Sequence, residues 1–282
     1  MELGYLTHVA DWAAPAQVYR DTIEMAVAAE ELGFSSFWVA QHHTRALFGV
    51  LPSPLVLLAA VAQRTSTIKL GTAVVVAPLE QPRRLAEDAA VLDLLAGGRL
   101  QLGVGAGSDA SAAAAFGLDH ESRHRRCAEV VTELCGLLEG DEHLPGDPHL
   151  PSDGSLRRRL WWATGSAAGV DAAARLGLGV ISGRPADTEG STVLADLARY
   201  WKRAGERPRV AMSRVARAGQ RADELLAKWL ADPVLPWATE LVVQSQPTRS
   251  GLAVQRPVMR ILAGELAPAL AAVAPRPGLV PA

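Results

Sequence analysis

The sequence predicts an α/β fold of the TIM (β/α)8 barrel class. Three observations carry that prediction. Short apolar runs alternate with longer helix-period segments about eight times in ~250 residues, the rhythm and size of such a barrel. The run 68–76, IKLGTAVVV, is almost wholly apolar, as a parallel strand covered on both faces should be. No G-x-G-x-x-G follows the first strand, which disfavours an open doubly wound sheet.

The first strand covers residues 3–6. Pro15 opens a helix to Leu32, with apolar side chains at Val18, Ile23, Met25, Val27 and Leu32, and Gly33 stops it in the C′ position. Ser36–Val39 is the second strand. Ser53-Pro54 caps a helix to about Arg64. The third strand is 68–76. Pro82 opens a helix to Leu95, stopped by Gly97-Gly98, and 100–104 is the fourth strand with a helix over 121–138. Residues 140–159, rich in Pro, Gly and Asp, read as a surface loop. Four further units follow: strand Leu160–Thr164 with helix 169–176, strand Gly179–Ser182 with helix 191–204, strand 209–215 with helix Ala222–Leu230, and strand 240–243 with a last helix over 257–273. The tail APRPGLVPA reads as loose. The whole, 1–282, is expected to form one domain.

Composition excludes several classes. Of 282 residues 49% are hydrophobic, enough for a large core, and the net charge of −2 with no long basic run argues against nucleic acid. No stretch of ~18 uninterrupted apolar residues predicts a membrane span. The start MELGYLTHVADW lacks the features of a signal peptide. Cys127 and Cys135, eight apart on one helix, are too far apart for a disulfide and read as buried packing, in a cytoplasmic composition. Lysine is sparse and arginine common, which reads as genome bias.

Polar chemistry gathers at the predicted carboxyl ends of strands, where parallel α/β folds build their sites. His42-His43 follows strand two. An imidazole there can move a proton near neutral pH, and at most one ring of an adjacent pair is expected to face the mouth. Gln41 stands beside the pair, with no adjacent Asp or Glu, so no metal site is expected. Gly71-Thr72-Ala73-Val74 ends strand three with residues small enough to let a flat ring approach the backbone; a packed strand with a glycine bend is an equal reading. The glycines of Gly103–Ser108 mark either a close approach or a turn. Gly165-Ser166-Ala167 precedes a helix: its free N–H groups and hydroxyl suit a phosphate, and simple capping by Ser166 suits the same residues. On the third helix Arg83 and Arg84 face Glu87 and Asp88 as a solvated i,i+4 face, and Asp93 is expected to pair with Arg99 across the Gly97-Gly98 turn.

The segments AEELGFSSFWVAQHH, IKLGTAVVVAP, PRRLAEDAAVLDLLAGGRLQLGVGAG and WWATGSAAGVDAAARLGLGVI together resemble the bacterial luciferase-like flavin monooxygenases, over roughly residues 2–182. The resemblance implies a luciferase-like barrel that binds FMN at its carboxyl face and oxidises a small organic substrate with oxygen, reduced flavin coming from a separate reductase. It implies a cis peptide at Ala73-Val74 beneath the flavin ring, a phosphate loop at Gly165, Ser166 and Ala167, and His42 as the catalytic histidine. A homodimer is implied through helices of the second and third units, for which the apolar face of 55–61 is suitable. The departures are specific. The family's E-H-H is Gln41-His42-His43 here, and the strand-four cysteine and phosphate-binding arginine become Gly105 and Ala106, so the phosphate must rest on backbone donors or another arginine. The chain is also somewhat shortened in its late units. The alternatives are a deazaflavin coenzyme used for hydride transfer, or a flavin-binding barrel without catalysis.

Overall fold

The predicted strands close on themselves. The computed structural model describes residues 1–139, 154–183, 190–205, 208–245 and 249–273. Its strands are β1 (Glu2–Thr7), β2 (Ser36–Val39), β3 (Lys69–Thr72), β4 (Val75–Val76), β5 (Leu100–Gly105), β6 (Leu160–Thr164), β7 (Gly179–Ser182), β8 (Val210–Val215) and β9 (Glu240–Gln244). Neighbouring strands pair in parallel, β3 and β4 share one barrel position, and β1 pairs both β2 and β9, which makes a closed eight-position barrel. The register at the seam sets Tyr5 opposite Phe37 on one side and Val243 on the other.

Strand alternation sorts side chains into two layers. Tyr5, Phe37, Leu70, Met212 and Val243 face outward and pack under the helices. Leu6, Trp38, Trp161, Ala211 and Val242 face inward, with Ala73 and Ile181 against them. Two indoles thus fill the interior, their rings edge to face at 5.8 Å and 86°. Glycine makes that possible. A Cβ on Gly71 would lie 2.1 Å from the Trp38 ring, and one on Gly179 would lie 2.4 Å from the Trp161 ring. Trp38 Nε1 donates to Ser36 Oγ at 2.7 Å and to Glu240 Oε1 at 3.0 Å, so the buried indole is satisfied. Glu240 itself is fully enclosed, and burial raises its carboxyl pKa above the ordinary range.

The helices are α1 (Pro15–Glu31), α2 (Pro54–Ala62), α3 (Pro82–Leu95), α4 (Ala110–Ala115), α5 (Arg123–Glu139), α6 (Ala167–Arg175), α7 (Gly190–Trp201), α8 (Ala222–Leu230), α9 (Leu252–Ile261) and α10 (Ala267–Ala271). Proline begins α1, α2 and α3, where its missing N–H costs no intrahelical bond. Gly33, at φ +83°, ends α1 as expected. Among the described residues no helix is long and apolar enough to cross a membrane. Cys127 and Cys135 are free and buried, and burial pushes the Cys127 thiol up to about 12.

Four expectations are corrected. The single strand over 68–76 is two pieces, because the Ala73–Val74 peptide is cis and turns the chain between β3 and β4. The last helix starts at Leu252, so Pro257 lies inside it, and a π turn at Leu262–Leu266 leads on to α10. Asp93 does not take Arg99. It binds Arg159 at 2.5 Å and receives the Leu100 amide at 3.1 Å, while Arg99 donates to the carbonyls of Ala96, Ala62, Thr65 and Ile68. Arg159 belongs to a 3-10 turn, Ser155–Arg159, whose Leu156 is fully buried; this part of the expected surface loop is core. The rest of that loop, 140–153, and the tail, 274–282, lie outside the described residues. On α3, Arg84 reaches Asp88 at 2.7 Å, the expected i,i+4 pair, and it also reaches Glu87 at 3.5 Å, the carboxylate the sequence assigned to Arg83.

Candidate active site

The loop after β2 carries Gln41, His42 and His43 to the carboxyl end of the barrel. Both histidines line one cavity of about 180 Å³, together with His8, Ala73, Val74 and Ala106. The expectation that only one ring faces this space is therefore corrected: the loop leaves the barrel wall, so strand alternation no longer separates neighbours.

Gln41 is buried and its bonds explain why an amide stands here. Its Oε1 accepts from Val76 N at 2.7 Å, and its Nε2 donates to Glu80 Oε1 at 2.9 Å and Pro52 O at 3.2 Å, with His43 Nε2 also at 2.9 Å. A carboxylate could accept from Val76 but could donate to nothing. The negative charge absent from position 41 is supplied by Glu80, just after β4. The Gln41 amide also donates to Val74 O at 3.2 Å, so residue 41 grips the cis turn from both its backbone and its side chain.

His42 is half-buried. Burial, reinforced by His8 and opposed by Asp109, lowers its pKa to about 4. Burial also lowers His8 and His43, with Glu80 and Asp109 opposing at His43. The His43 ring meets Phe116 edge to face at 4.7 Å. Asp109 caps α4 by accepting from Ser111 N at 2.9 Å and Ala112 N at 3.3 Å, and Thr44 donates its hydroxyl to the same carboxylate. Those bonds, led by the Thr44 hydroxyl, hold its pKa below the usual carboxylate range. Among the described residues no group of three or more His, Cys, Asp or Glu is placed to hold a metal ion.

The small-residue ledge is narrower than the sequence implied. Ala73 and Val74 line the cavity, but Gly71 serves Trp38 and Thr72 is buried, its Oγ1 bonded to Gly103 O at 2.7 Å and Gly103 N at 2.9 Å. The glycines of β5 exist for close approach. A Cβ on Gly103 would sit 2.0 Å from Thr72 O, and one on Gly105 would sit 2.9 Å from Val74. Ala106 and Gly107 then enter the cavity wall. Gly165 is half-buried, and Ser166 and Ala167 are exposed at the start of α6; none of the three lines this cavity. Ser166 Oγ accepts from Gly169 N at 3.2 Å, which is ordinary capping.

Ala73 also lines a small depression over Trp38, and Ser213 lines both that depression and a larger cavity of about 690 Å³ beside β7, β8, β9 and α8. Two arginines that the sequence did not single out, Arg123 and Arg126 of α5, line the first cavity beside Ala106. Arg123 donates to His120 O at 3.0 Å, with His120 Nδ1 at 3.4 Å, and Arg126 donates to Pro78 O at 3.4 Å; neither makes an ion pair with a carboxylate among the described residues. His120 Nε2, in the same wall, is buried without a partner. A flat apolar ledge, an open mouth and two uncompensated guanidiniums form the donor set that a planar ring with an anionic tail requires. The residues present therefore fit a flavin mononucleotide.

A closed parallel barrel with its polar side chains converging at the carboxyl mouth defines a (β/α)8 enzyme-type site. The family model described as luciferase-like monooxygenase matches residues 1–273, and the chain belongs to that family. The oxygenase component of a flavin-dependent trigonelline monooxygenase from Acinetobacter baylyi is 33% identical over 142 residues, which is 49% of this chain and 39% of that protein. A monooxygenase from Streptomyces bottropensis superposes with a TM-score of 0.79 at 24% identity, over 95% of this chain and 99% of that one. The oxygenating constituent of 3,6-diketocamphane monooxygenase from Pseudomonas putida, in complex with FMN, gives 0.75 at 16% identity, over 95% and 98%. Proteins named for the deazaflavin F420 also match. At these identities the solved structures speak for the fold. The matched stretches span 26–40% of the length of the first curated relatives.

Proposed function

We propose that this chain is the oxygenase of a flavin-dependent monooxygenase that receives reduced FMN from a separate reductase and oxidises a small organic molecule. One observation carries the reading: His42, the Ala73-Val74 ledge and the arginines Arg123 and Arg126 line a single cavity at the carboxyl ends of the strands. Reduced FMN supplies the electrons and the ring carbon at which oxygen is activated. Ala73, Val74 and Ala106 line the space for the ring, and Gly105 leaves room for the Val74 side chain behind it. Arg123 and Arg126 take over the phosphate contact that a side chain at position 106 cannot make, with Gly165, Ser166 and Ala167 as the second candidate from across the mouth. His42, neutral above about pH 4, is the group that accepts and returns a proton.

The test is a binding titration with FMN, riboflavin and F420. FMN should bind, and Arg123→Ala with Arg126→Ala should weaken FMN while leaving riboflavin unchanged. Preferential binding of F420, seen by its shorter-wavelength absorbance, selects the hydride-transfer alternative. Binding of FMN with no oxygen-dependent turnover on aldehydes, sulfonates or ketones selects the non-catalytic one.

A homodimer is part of the same proposal. Val56 on α2 and Val91, Leu94 and Leu95 on α3 are exposed, Val56 at 73%, which supports a partner copy on that face. Sedimentation should give twice the chain mass, and Leu94→Glu with Val56→Glu should return the monomer.

A further inference from the structure

Four side chains make a hydrogen-bonded row across the barrel mouth. His42 Nε2 lies 3.0 Å from His8 Nδ1, and His8 Nε2 lies 2.7 Å from Gln244 Oε1. Gln244 Nε2 donates to Ser213 Oγ at 2.8 Å. The residues come from the loops after β2 and β1, the end of β9 and the middle of β8, so only barrel closure brings them together.

The orientation of the Gln244 amide, its oxygen toward His8 and its NH2 toward Ser213, sets the direction of each bond. An amide oxygen only accepts, so His8 carries its proton on Nε2. A neutral imidazole has one N–H, so His8 Nδ1 is a lone pair and His42 Nε2 must be the donor to it. His42 then holds no proton on Nδ1.

We infer that His8, oriented by Gln244 and Ser213, is a positioning residue that locks His42 in its Nε2–H tautomer and leaves Nδ1 as the nitrogen that takes up and releases the proton. This inference rests on the reading of His42 as the proton-transfer group.

Independent features hold the two rings in place. Val9, immediately after His8, keeps a left-handed backbone at φ +52°, an unfavourable conformation for a β-branched residue, sustained by Val9 N donating to Thr7 Oγ1 at 3.0 Å. The His8 and His42 segments are stitched to each other by Val50 N to Val9 O at 3.0 Å, Asp11 N to Phe48 O at 2.9 Å and the Ala10–Gly49 bridge. Gly49 packs on His42 so closely that a Cβ there would lie 2.1 Å from Cδ2. The Cδ2 edge is thereby closed off, and the opposite edge of the ring is the one that bears Nδ1. The charged and titratable groups around His42 are His8 from the loop after β1, His43 from its own loop and Asp109 from the loop after β5. Burial keeps His8 and His42 neutral near pH 7, the state the row requires.

The experiment is long-range ¹H–¹⁵N correlation on histidine-labelled protein at pH 7, without flavin. His42 should show the Nε2–H pattern. His8→Phe removes the acceptor, and His42 should become a mixture of tautomers, with kcat about tenfold lower or more. His8→Asn offers an oxygen to His42 and an N–H to Gln244, and should restore both the pattern and most of kcat. Gln244→Leu gives a second reading from a different strand, should any His8 variant not fold, and should also mix the tautomers. An Nδ1–H pattern in the parent, or an Nε2–H pattern untouched by His8→Phe and Gln244→Leu, overturns the inference. Full turnover in His42→Ala overturns the catalytic reading instead, and leaves the tautomer result standing as a separate finding.

Discussion

The two sides of the barrel mouth are built differently. On the β1–β5 side Gln41, His42, His43, Glu80 and Asp109 share bonds or charge with one another, and His8 ties them to β9. On the β7–β9 side the larger cavity has, among the described residues, the ion pair of Arg214 with Asp232 and an exposed rim of Arg217, Gln220 and Lys228. The first arrangement holds side chains to one geometry, which proton transfer needs; the second leaves room and loosely held charge, which suits recognition of a varied ligand. Preorganisation, more than polarity, separates the two.

The comparison breaks first at His42. His42→Ala should lower kcat about 10²–10⁴-fold, read in steady-state oxidation driven by reduced FMN, while Lys228→Ala on the open rim should change it about twofold or less. The same variant carries a pH signature. The unfolded chain protonates His42 near its ordinary pKa of ~6.5, and the folded chain resists down to about 4, so stability is complete above ~6.5 and declines as pH falls between these values. Thermal melts across that window should flatten in His42→Ala.

The amino-terminal end of the barrel, away from the mouth, comes next. Asp93 on α3 and Arg159 before β6 are both shielded, with side chains 9% and 18% exposed, and Asp93→Ala should cost about 3 kcal/mol in denaturant titration by stranding the guanidinium. Flavin affinity measured on the folded variant should not change.

Gln41→Glu sharpens the account of the ordered side. It would set a second carboxylate against Glu80 in place of a donor 2.9 Å away, at a cost of about 1.5–3 kcal/mol near pH 7. Protonation relieves the repulsion, so the melting-temperature gap to the parent should narrow as pH is lowered.

The smallest effect is expected at Ser166. Loss of its cap to Gly169 N should cost about 1 kcal/mol in Ser166→Ala. An accompanying loss of FMN affinity, with riboflavin unaffected, would add this helix terminus to the phosphate site; unchanged FMN affinity would leave Arg123 and Arg126 as its holders.

Legibility followed the range of the interactions. Ser36–Val39, Leu160–Thr164, Gly179–Ser182, α3 and α8 occur where the pattern placed them, because alternation, helical period, proline starts and glycine stops act over a few residues. His42 was legible because it adjoins such an element, whereas the Ala73-Val74 turn was implied only by the family resemblance, the local pattern having read 68–76 as one strand. His8, Glu80, Asp109, Arg123 and Arg126 were not. They lie at strand ends, in loops or at a helix start, and nothing in their local sequence distinguishes them from solvated polar residues. Asp93 illustrates the same limit: the nearby Arg99 looked like its partner, but Arg99 turns to four carbonyls and a residue 66 positions away takes the carboxylate.

By itself, then, the order of apolar runs and breakers determined a barrel of eight β–α units and the position of a histidine at one strand's end, while the likeness to the family rested on particular segments such as AEELGFSSFWVAQHH. The tertiary structure alone decided how the His42 and His8 rings meet, which carboxylate and arginines share their surroundings, and how the two indoles fill the barrel. Local propensities act through neighbours in the chain, whereas these outcomes depend on contacts across the closed sheet, and those exist only once β9 has paired with β1.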